Sequence, residues 1–429
     1  MGIETKNVYV AGIGGFAEKH HEVLLQLENE GLLKVRAVCD PEIESLTELC
    51  EAFRFAERGV ALYADFDQLL AAHANEFKQN DWASIAAPFI VHAKMHQQCI
   101  DAGLACYLEK PPTLDPLELD AMVKYDLHAK LFTAVGFNHI GQTERLELKQ
   151  RILAGEFGAL NQARFVGAWR RSCGYFHRNA WAGRLLLGEQ LVLDSCFGNG
   201  MAHHLHNLLF FCGTGGLYSW AKCVSLESEL YSVQPIEGPD TVFAQGLLES
   251  GVVVRIAVTN VCKEIEYTSE ELYFDHAQIH IAPNDHIKIT WNDGRKEKIP
   301  LTSDRLLEQN IRNFLAYLDG EFERPPTTLE DCQAFVQLNA LTYLASQGIC
   351  RLEPTDYAFV PETKDKKSVR YIHGILDCQR HFADSGNFPS SQGVSWGKKG
   401  GYATVEQLEN LHSHVQLIQS PKVACVKSS

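Results

Sequence analysis

The stretch "LDSCFGNGMAHHLHNLLFF" (residues 193–211) gathers one acid, two Asn and three His at the head of an apolar run. An acid close to an imidazole suits general acid–base work, because His titrates near neutral pH and a carboxylate can orient it or bind substrate hydroxyls. The same His also admit a metal, with His203 and His206 at i, i+3, or a helix start of purely structural meaning. Helix phase separates them. For a helix starting near Asn199 or Gly200, Leu205, Leu208, Leu209 and Cys212 form an apolar stripe at i, i+3, i+4, i+7. At about 100° per residue His203 and Asn207 then share the opposite face, while His204 and His206 project sideways.

A second constellation opens the chain. "NVYVAGIGGFAEKHHEVLLQLE" reads as a strand, a glycine turn and a helix with Val23, Leu24 and Leu27 at helical spacing. Its Gly12-x-Gly14-x-x-Ala17 turn is the pattern in which backbone approaches a pyrophosphate at a helix N-terminus. The next apolar strand, "KVRAVCD", ends in Asp40, 23 residues beyond Ala17 and near the roughly 20-residue spacing of a ribose-binding acid. A carboxylate there repels a 2′-phosphate, and no Arg follows it in "CDPEIES", so NAD is expected rather than NADP. The other reading of Asp40 is a cap before Pro41.

These groups need a frame. "ASIAA", a helix over 92–102 and "ACYLE" continue an alternation of strand and helix, the mark of a doubly wound parallel sheet. Lys110 then lies at a strand's carboxyl end, where such sheets bind ligands. His92, His96 and Cys99 share one helix face, which suits half-buried packing better than a metal site lacking a fourth ligand. From about Phe137 the pattern becomes antiparallel, with hairpins about Glu249-Ser250-Gly251 and Asn292-Asp293-Gly294. Helices in "DRLLEQNIRNFLAYL" and "EDCQAFVQLNALTYLAS" either cover that sheet or return to the first domain.

The expected architecture is α/β: a Rossmann domain (1–137), an α+β substrate and oligomerisation domain with a mostly antiparallel open sheet (138–354), and a C-terminal extension (355–429), either a subunit-contact arm or a tail. At 429 residues the chain exceeds the roughly 250–300 at which single cores stop growing. A net charge of -15 argues against nucleic-acid and anionic-membrane partners. The opening residues lack a secretory pattern and no run is long enough to span a bilayer, so a cytoplasmic protein with a small-molecule partner is expected. Thirteen Cys from Cys39 to Cys425, with no C-x-x-C, read as reduced, mostly buried thiols.

The ordered set "AGIGGFA", "AVCD", "APFIVHAKMHQQCIDAG", "LEKPP" and "VGFNH" resembles the glucose-fructose oxidoreductase / inositol dehydrogenase / rhizopine catabolism (Gfo/Idh/MocA) family of NAD(P)-dependent oxidoreductases. The resemblance implies hydride transfer between nicotinamide and a secondary alcohol of a sugar, polyol or related carbohydrate. It implies cofactor contacts from Gly12, Ile13, Gly14, Gly15, Phe16, Asp40, Pro88, His92, Glu109, Lys110 and Asn138. It makes Lys110 and Asp194 catalytic, although the family's short acid-to-His spacing would end at Gly198, about five residues before the His cluster. A branch with R-N-x-W-x-G before the acid and A-H-x-L-x-N after it matches here, which selects His203 and Asn207 and puts Arg178, Asn179 and Trp181 near substrate; His204 remains the alternative base. Dimers or tetramers through the open sheet face are implied. Three rivals stand beside this reading: an NAD-dependent glycosidase working by transient oxidation and elimination, a non-catalytic sugar- or nucleotide-binding protein, and a zinc hydrolase on His203 and His206.

Overall fold

The computed structural model describes residues 5–419 apart from 264–265, 303 and 365–366. It divides into two compact units, one of residues 1–113, 117–142 and 304–332, the other of 114–116, 143–303 and 333–429.

The first unit is built on six parallel strands: β1 (Lys6–Ala11), β2 (Leu33–Cys39), β3 (Ala61–Tyr63), β4 (Trp82–Ile85), β5 (Ala105–Leu108) and β6 (Ala134–Val135). Their order, β3-β2-β1-β4-β5-β6, reverses direction of winding at β1, which creates the crevice where such sheets take ligands. Strands buried on both faces read as apolar runs, and Val8, Val10, Val35, Val38 and Trp82 pack with Phe314 of the helix Leu306–Leu318. Of the two late helices, this one belongs to the first unit and Gln333–Leu344 to the second.

The second unit carries a ten-stranded mixed sheet. Nine of its strands are β7 (Leu160–Trp169), then, past a short separate hairpin of β8 (Leu186–Leu187) and β9 (Gln190–Leu191), β10 (Cys223–Ser232), β11 (Thr241–Leu248), β12 (Val253–Thr259), β13 (Glu266–Phe274), β14 (Ala277–Ala282), β15 (His286–Trp291), β16 (Lys296–Pro300) and β17 (Ile349–Arg351); the tenth is β20 (Gly401–Thr404). The order is β16-β15-β14-β13-β7-β12-β11-β10-β17. Both hairpins expected from their turns form, β11–β12 and β15–β16. Among the described residues of this sheet, only β7–β12 and β10–β17 pair in parallel. Among the described residues, no helix is long and apolar enough to cross a membrane.

The described part of 355–419 is folded onto this sheet. A ribbon of β18 (Tyr357–Val360) and β19 (Val369–Ile372) leads into the helix Ile375–Ser385, and β20 (Gly401–Thr404) pairs antiparallel with β10 on the edge that β17 leaves uncovered. Its strands span only four residues each, which is why periodicity is weak there. Ile375, Cys378 and Phe382 pack on Ala168, Tyr231, Phe243 and Ala257. The helix's last turn is held electrostatically as well as by packing. Arg255 donates to the carbonyls of Ala383 (3.0 Å) and Asp384 (2.8 Å), and Arg164 pairs with the Asp384 carboxylate at 2.7 Å, cations placed where the helix dipole favours them. The twelve described Cys are free thiols, mostly buried, and Cys425 lies outside the described residues.

Phe382 is fully buried in this cluster. Phe382→Ala is expected to lower unfolding free energy by about 3–5 kcal/mol, read from the denaturant midpoint at constant slope.

Candidate functional site

In the first unit, the turn after β1 has the geometry of a phosphate cradle. Gly12 sits at φ 106°, and a Cβ there would lie 2.6 Å from the Ala86 carbonyl oxygen and 3.2 Å from the Ala17 Cβ, so no other residue fits. The helix Ala17–Asn29 starts directly after it. Gly15 and Phe16 are exposed on the turn, with Phe16 at 52%, while Ile13 is buried. Asp40, just past β2, accepts from the Ile13 amide (2.9 Å) and the Glu42 amide (2.9 Å). It therefore ties its own loop to the glycine turn and keeps lone pairs free, since a carboxylate offers about four acceptor sites. These features fit a dinucleotide.

At the carboxyl end of β5 the chain turns through Glu109, Lys110, Pro111 and Pro112, with the Lys110–Pro111 peptide cis. His92 is fully buried beneath this turn. Its Nδ1 lies 3.1 Å from the Pro111 oxygen and its Nε2 2.9 Å from the Ala87 oxygen, next to exposed Pro88. Burial pulls its pKa down to about 4, so the ring is neutral. His96 faces Asp126 at 3.1 Å, so both His of this helix face are occupied by protein acceptors. Asn138 is buried with Tyr107 and Asn310, accepting from the Asn310 amide at 3.0 Å. Among the described residues, no group of three His, Cys, Asp or Glu is placed to hold a metal ion.

In the second unit the geometry centres on Asp194, which is 5% exposed. Its Oδ2 accepts from the Gly183 amide at 2.7 Å, its Oδ1 accepts from the Asn199 side chain at 2.8 Å, and the Arg178 guanidinium lies 3.6 Å away. Arg178 is stacked between Tyr175 and Trp181, 4.0 Å and 4.9 Å from the ring centres. Asn179 accepts from the Ala182 amide at 2.8 Å, which closes the turn. The R-N-x-W-x-G segment is thus a loop folded around the acid. Leu193 stands at φ 50°, a conformation that costs a non-glycine residue about 1–3 kcal/mol. The Tyr343 hydroxyl donates to the Leu193 carbonyl (3.2 Å), the Val192 and Leu193 amides donate to the Leu185 carbonyl and the Asp194 amide donates to the Arg184 carbonyl, which together hold it there.

Residues 196–200 form a wide π turn that takes up the extra length between the acid and the His cluster, and the helix begins at Ala202, two or three residues later than its sequence suggests. Every residue of Ala202–Cys212 is buried except His203. The pairing of His203 with Asn207 on an open face does not survive. Asn207 is fully buried and donates to Glu270 Oε2 at 2.6 Å, because β13 supplies a carboxylate to that face. His204 lies 2.6 Å from the other Glu270 oxygen and stacks on Phe165, while His206 packs against Trp220. Arg145 completes the cluster at 3.3 Å. Burial pushes the Glu270 carboxyl up, but Arg145 and His204 outweigh it and hold it below the usual carboxylate range.

Glu270 and Arg145 are the residues that sequence reasoning missed, and both leave a trace. Glu270, Leu272 and Phe274 alternate onto the buried face of β13, and Arg145, Leu148 and Lys149 share the buried stripe of the helix Thr143–Leu153. An acid and a base each placed on an apolar face are the signal.

Comparison with known proteins follows the same division. Residues 6–137 match the Gfo/Idh/MocA model, described as an oxidoreductase family with an NAD-binding Rossmann fold. No curated protein matches the chain. Among solved structures, the WlbA dehydrogenase of Bordetella pertussis in complex with NADH and UDP-GlcNAcA superposes with a TM-score of 0.61 at 18% identity, over 80% of this chain and 95% of that one. The UDP-N-acetylglucosamine 3-dehydrogenase GnnA of Acidithiobacillus ferrooxidans gives 0.61 at 20% identity, over 79% and 98%. A levoglucosan dehydrogenase in complex with NADH gives 0.63 at 16%, over 79% and 96%. At these identities the likeness is one of fold, and it extends through both units. Over residues 6–137 the chain carries the NAD-binding Rossmann fold described by the Gfo/Idh/MocA model.

Proposed function

We propose that this protein is an NAD-dependent dehydrogenase that oxidises, reversibly, a secondary alcohol of a sugar, polyol or related carbohydrate. The observation that carries the reading is the state of the helix Ala202–Cys212: of its three His, only His203 keeps access to its surroundings, while His204 is committed to Glu270 and His206 to the core. The solved structures of similar fold include enzymes crystallised with NADH and a nucleotide sugar, which supports a carbohydrate substrate.

In this mechanism the turn Gly12–Phe16 and the following helix hold the pyrophosphate, and Asp40 accepts from the adenosine ribose hydroxyls with its spare lone pairs. Bound NAD supplies the hydride acceptor. Lys110 donates a hydrogen bond to the reacting oxygen and stabilises negative charge as it develops there. His203 takes the hydroxyl proton on its imidazole. A His starts near pKa 6.5, whereas a Lys must be lowered from about 10.4 to serve as base at neutral pH, so the imidazole needs far less adjustment. Asp194, fixed by the Gly183 amide and flanked by Arg178, binds neighbouring hydroxyls and sets the ring's orientation.

A sugar and polyol screen followed by NADH absorbance is expected to find a substrate. On it, Lys110→Ala and His203→Ala should each lower kcat/KM by about 100- to 10,000-fold. Undiminished turnover in both variants defeats the assignment, and release of an aglycone without net NADH would favour the redox-assisted glycosidase. Glu270→Gln strips Arg145 and His204 of their carboxylate, and should cost about 3–5 kcal/mol of stability at pH 7. Because the folded Glu270 pKa is depressed, its contribution is complete above the unfolded value of about 4.3 and is lost as pH falls through the lower folded value. Denaturation midpoints of wild type and variant should therefore converge as pH falls through the depressed folded pKa of Glu270.

A further inference from the structure

Between the nucleotide turn and Lys110 lies a closed set of buried polar groups that the chemistry above does not use. His20, in the first turn of the helix Ala17–Asn29, is fully buried. Its Nδ1 is 3.0 Å from the Ser84 hydroxyl on β4, and its Nε2 is 2.9 Å from Glu109 Oε1. A carboxylate accepts, so Nε2 donates to Glu109, while Nδ1 and the Ser84 hydroxyl form the second hydrogen bond that orients the ring. The other Glu109 oxygen, Oε2, accepts from the Lys110 backbone amide at 3.1 Å. Gly136 forms the wall behind it: a Cβ there would stand 2.7 Å from Oε1, so the carboxylate occupies the space a side chain would fill.

The Lys110 amide has particular weight. Pro111 and Pro112 have no N–H, so within Lys110–Pro112 it is the sole backbone donor that can anchor the turn. Remove His20, and Glu109 Oε1 loses its donor. The carboxylate must then swing toward another donor or take up a proton, and either change loosens its hold on that amide.

We propose that His20 is a positioning residue for Lys110: it fixes the Glu109 carboxylate that grips the Lys110 amide, and so joins the turn bearing Lys110 to the helix that follows the nucleotide turn. This rests on the reading of Lys110 as the group that donates to the reacting oxygen, but its test does not need a substrate. The amine of Lys110 is acylated by a short pulse of acetic anhydride on the full chain, quantified by mass spectrometry against the exposed Lys94, and NADH affinity is measured by fluorescence.

His20→Phe, which removes the donor, and Gly136→Ala, which displaces the carboxylate while keeping His20, should each change relative Lys110 labelling about fivefold, the factor carried by one hydrogen bond. His20→Gln, whose amide can donate to Glu109, should restore it to within about twofold, and NADH affinity should move by less than fivefold throughout. In the active enzyme kcat falls in His20→Phe with the sugar KM unchanged. Unaltered labelling in His20→Phe overturns the proposal, as does a parallel loss of NADH affinity, which would make His20 a support of the nucleotide turn alone. Absence of turnover by wild type on any carbohydrate would defeat the dehydrogenase reading and leave the labelling result to decide His20.

Discussion

The second unit is organised by the burial of one carboxylate. Glu270 is 1% exposed, and a charge so placed is tolerated only when donors surround it. Those donors come from two helices: Arg145 on one, His204 and Asn207 on the other. Three elements distant in sequence are thereby fixed to one another around one buried charge. A one-residue slip of β13 would turn Glu270 away from Arg145, His204 and Asn207, so the cluster specifies strand register as well as helix placement. The histidine proposed as base rides on the helix so fixed, one residue before His204.

The first unit solves a related problem with fewer charges. Its cofactor turn depends on one glycine that could not carry a Cβ, on an acid that bonds its neighbour's amide while keeping acceptor capacity, and on two buried His below the Lys110 turn. The two ring environments differ in kind. His92 meets only carbonyl oxygens and is kept neutral by burial, whereas His20 meets a carboxylate and a hydroxyl. Of the four residues Glu109–Pro112, only Lys110 keeps partial exposure.

Much of this was legible in the sequence where a local rule governs. The Gly12 turn, the alternation of strands and helices, Asp40 at its spacing, and both hairpins follow from φ requirements and from periodicity, which neighbouring residues set. The face of the helix carrying Asn207 was misjudged because apolar spacing finds the side a helix must bury and is silent about a side buried against polar groups. The acid that covers it lies 63 positions away. The C-terminal residues were opaque for another reason: their strands are too short for alternation to register, and their partners, β10 to β12, precede them by more than a hundred residues. The R-N-x-W-x-G segment was visible as a motif, but the stacking of Arg178 between two rings, which holds it beside Asp194, was not.

The position of β20 and the helix Ile375–Ser385 also bears on how the protein is made. The chain emerges from the ribosome N-terminus first, so β10, β11 and β12 are complete long before the segments that cover their edge and apolar face exist. For the time needed to synthesise some 120 to 150 further residues, Tyr231, Phe243 and Ala257 and the unpaired edge of β10 stand open to water, at a synthesis rate of about 5–20 residues per second. A nascent chain stalled in that interval presents a sticky surface that the finished protein never shows.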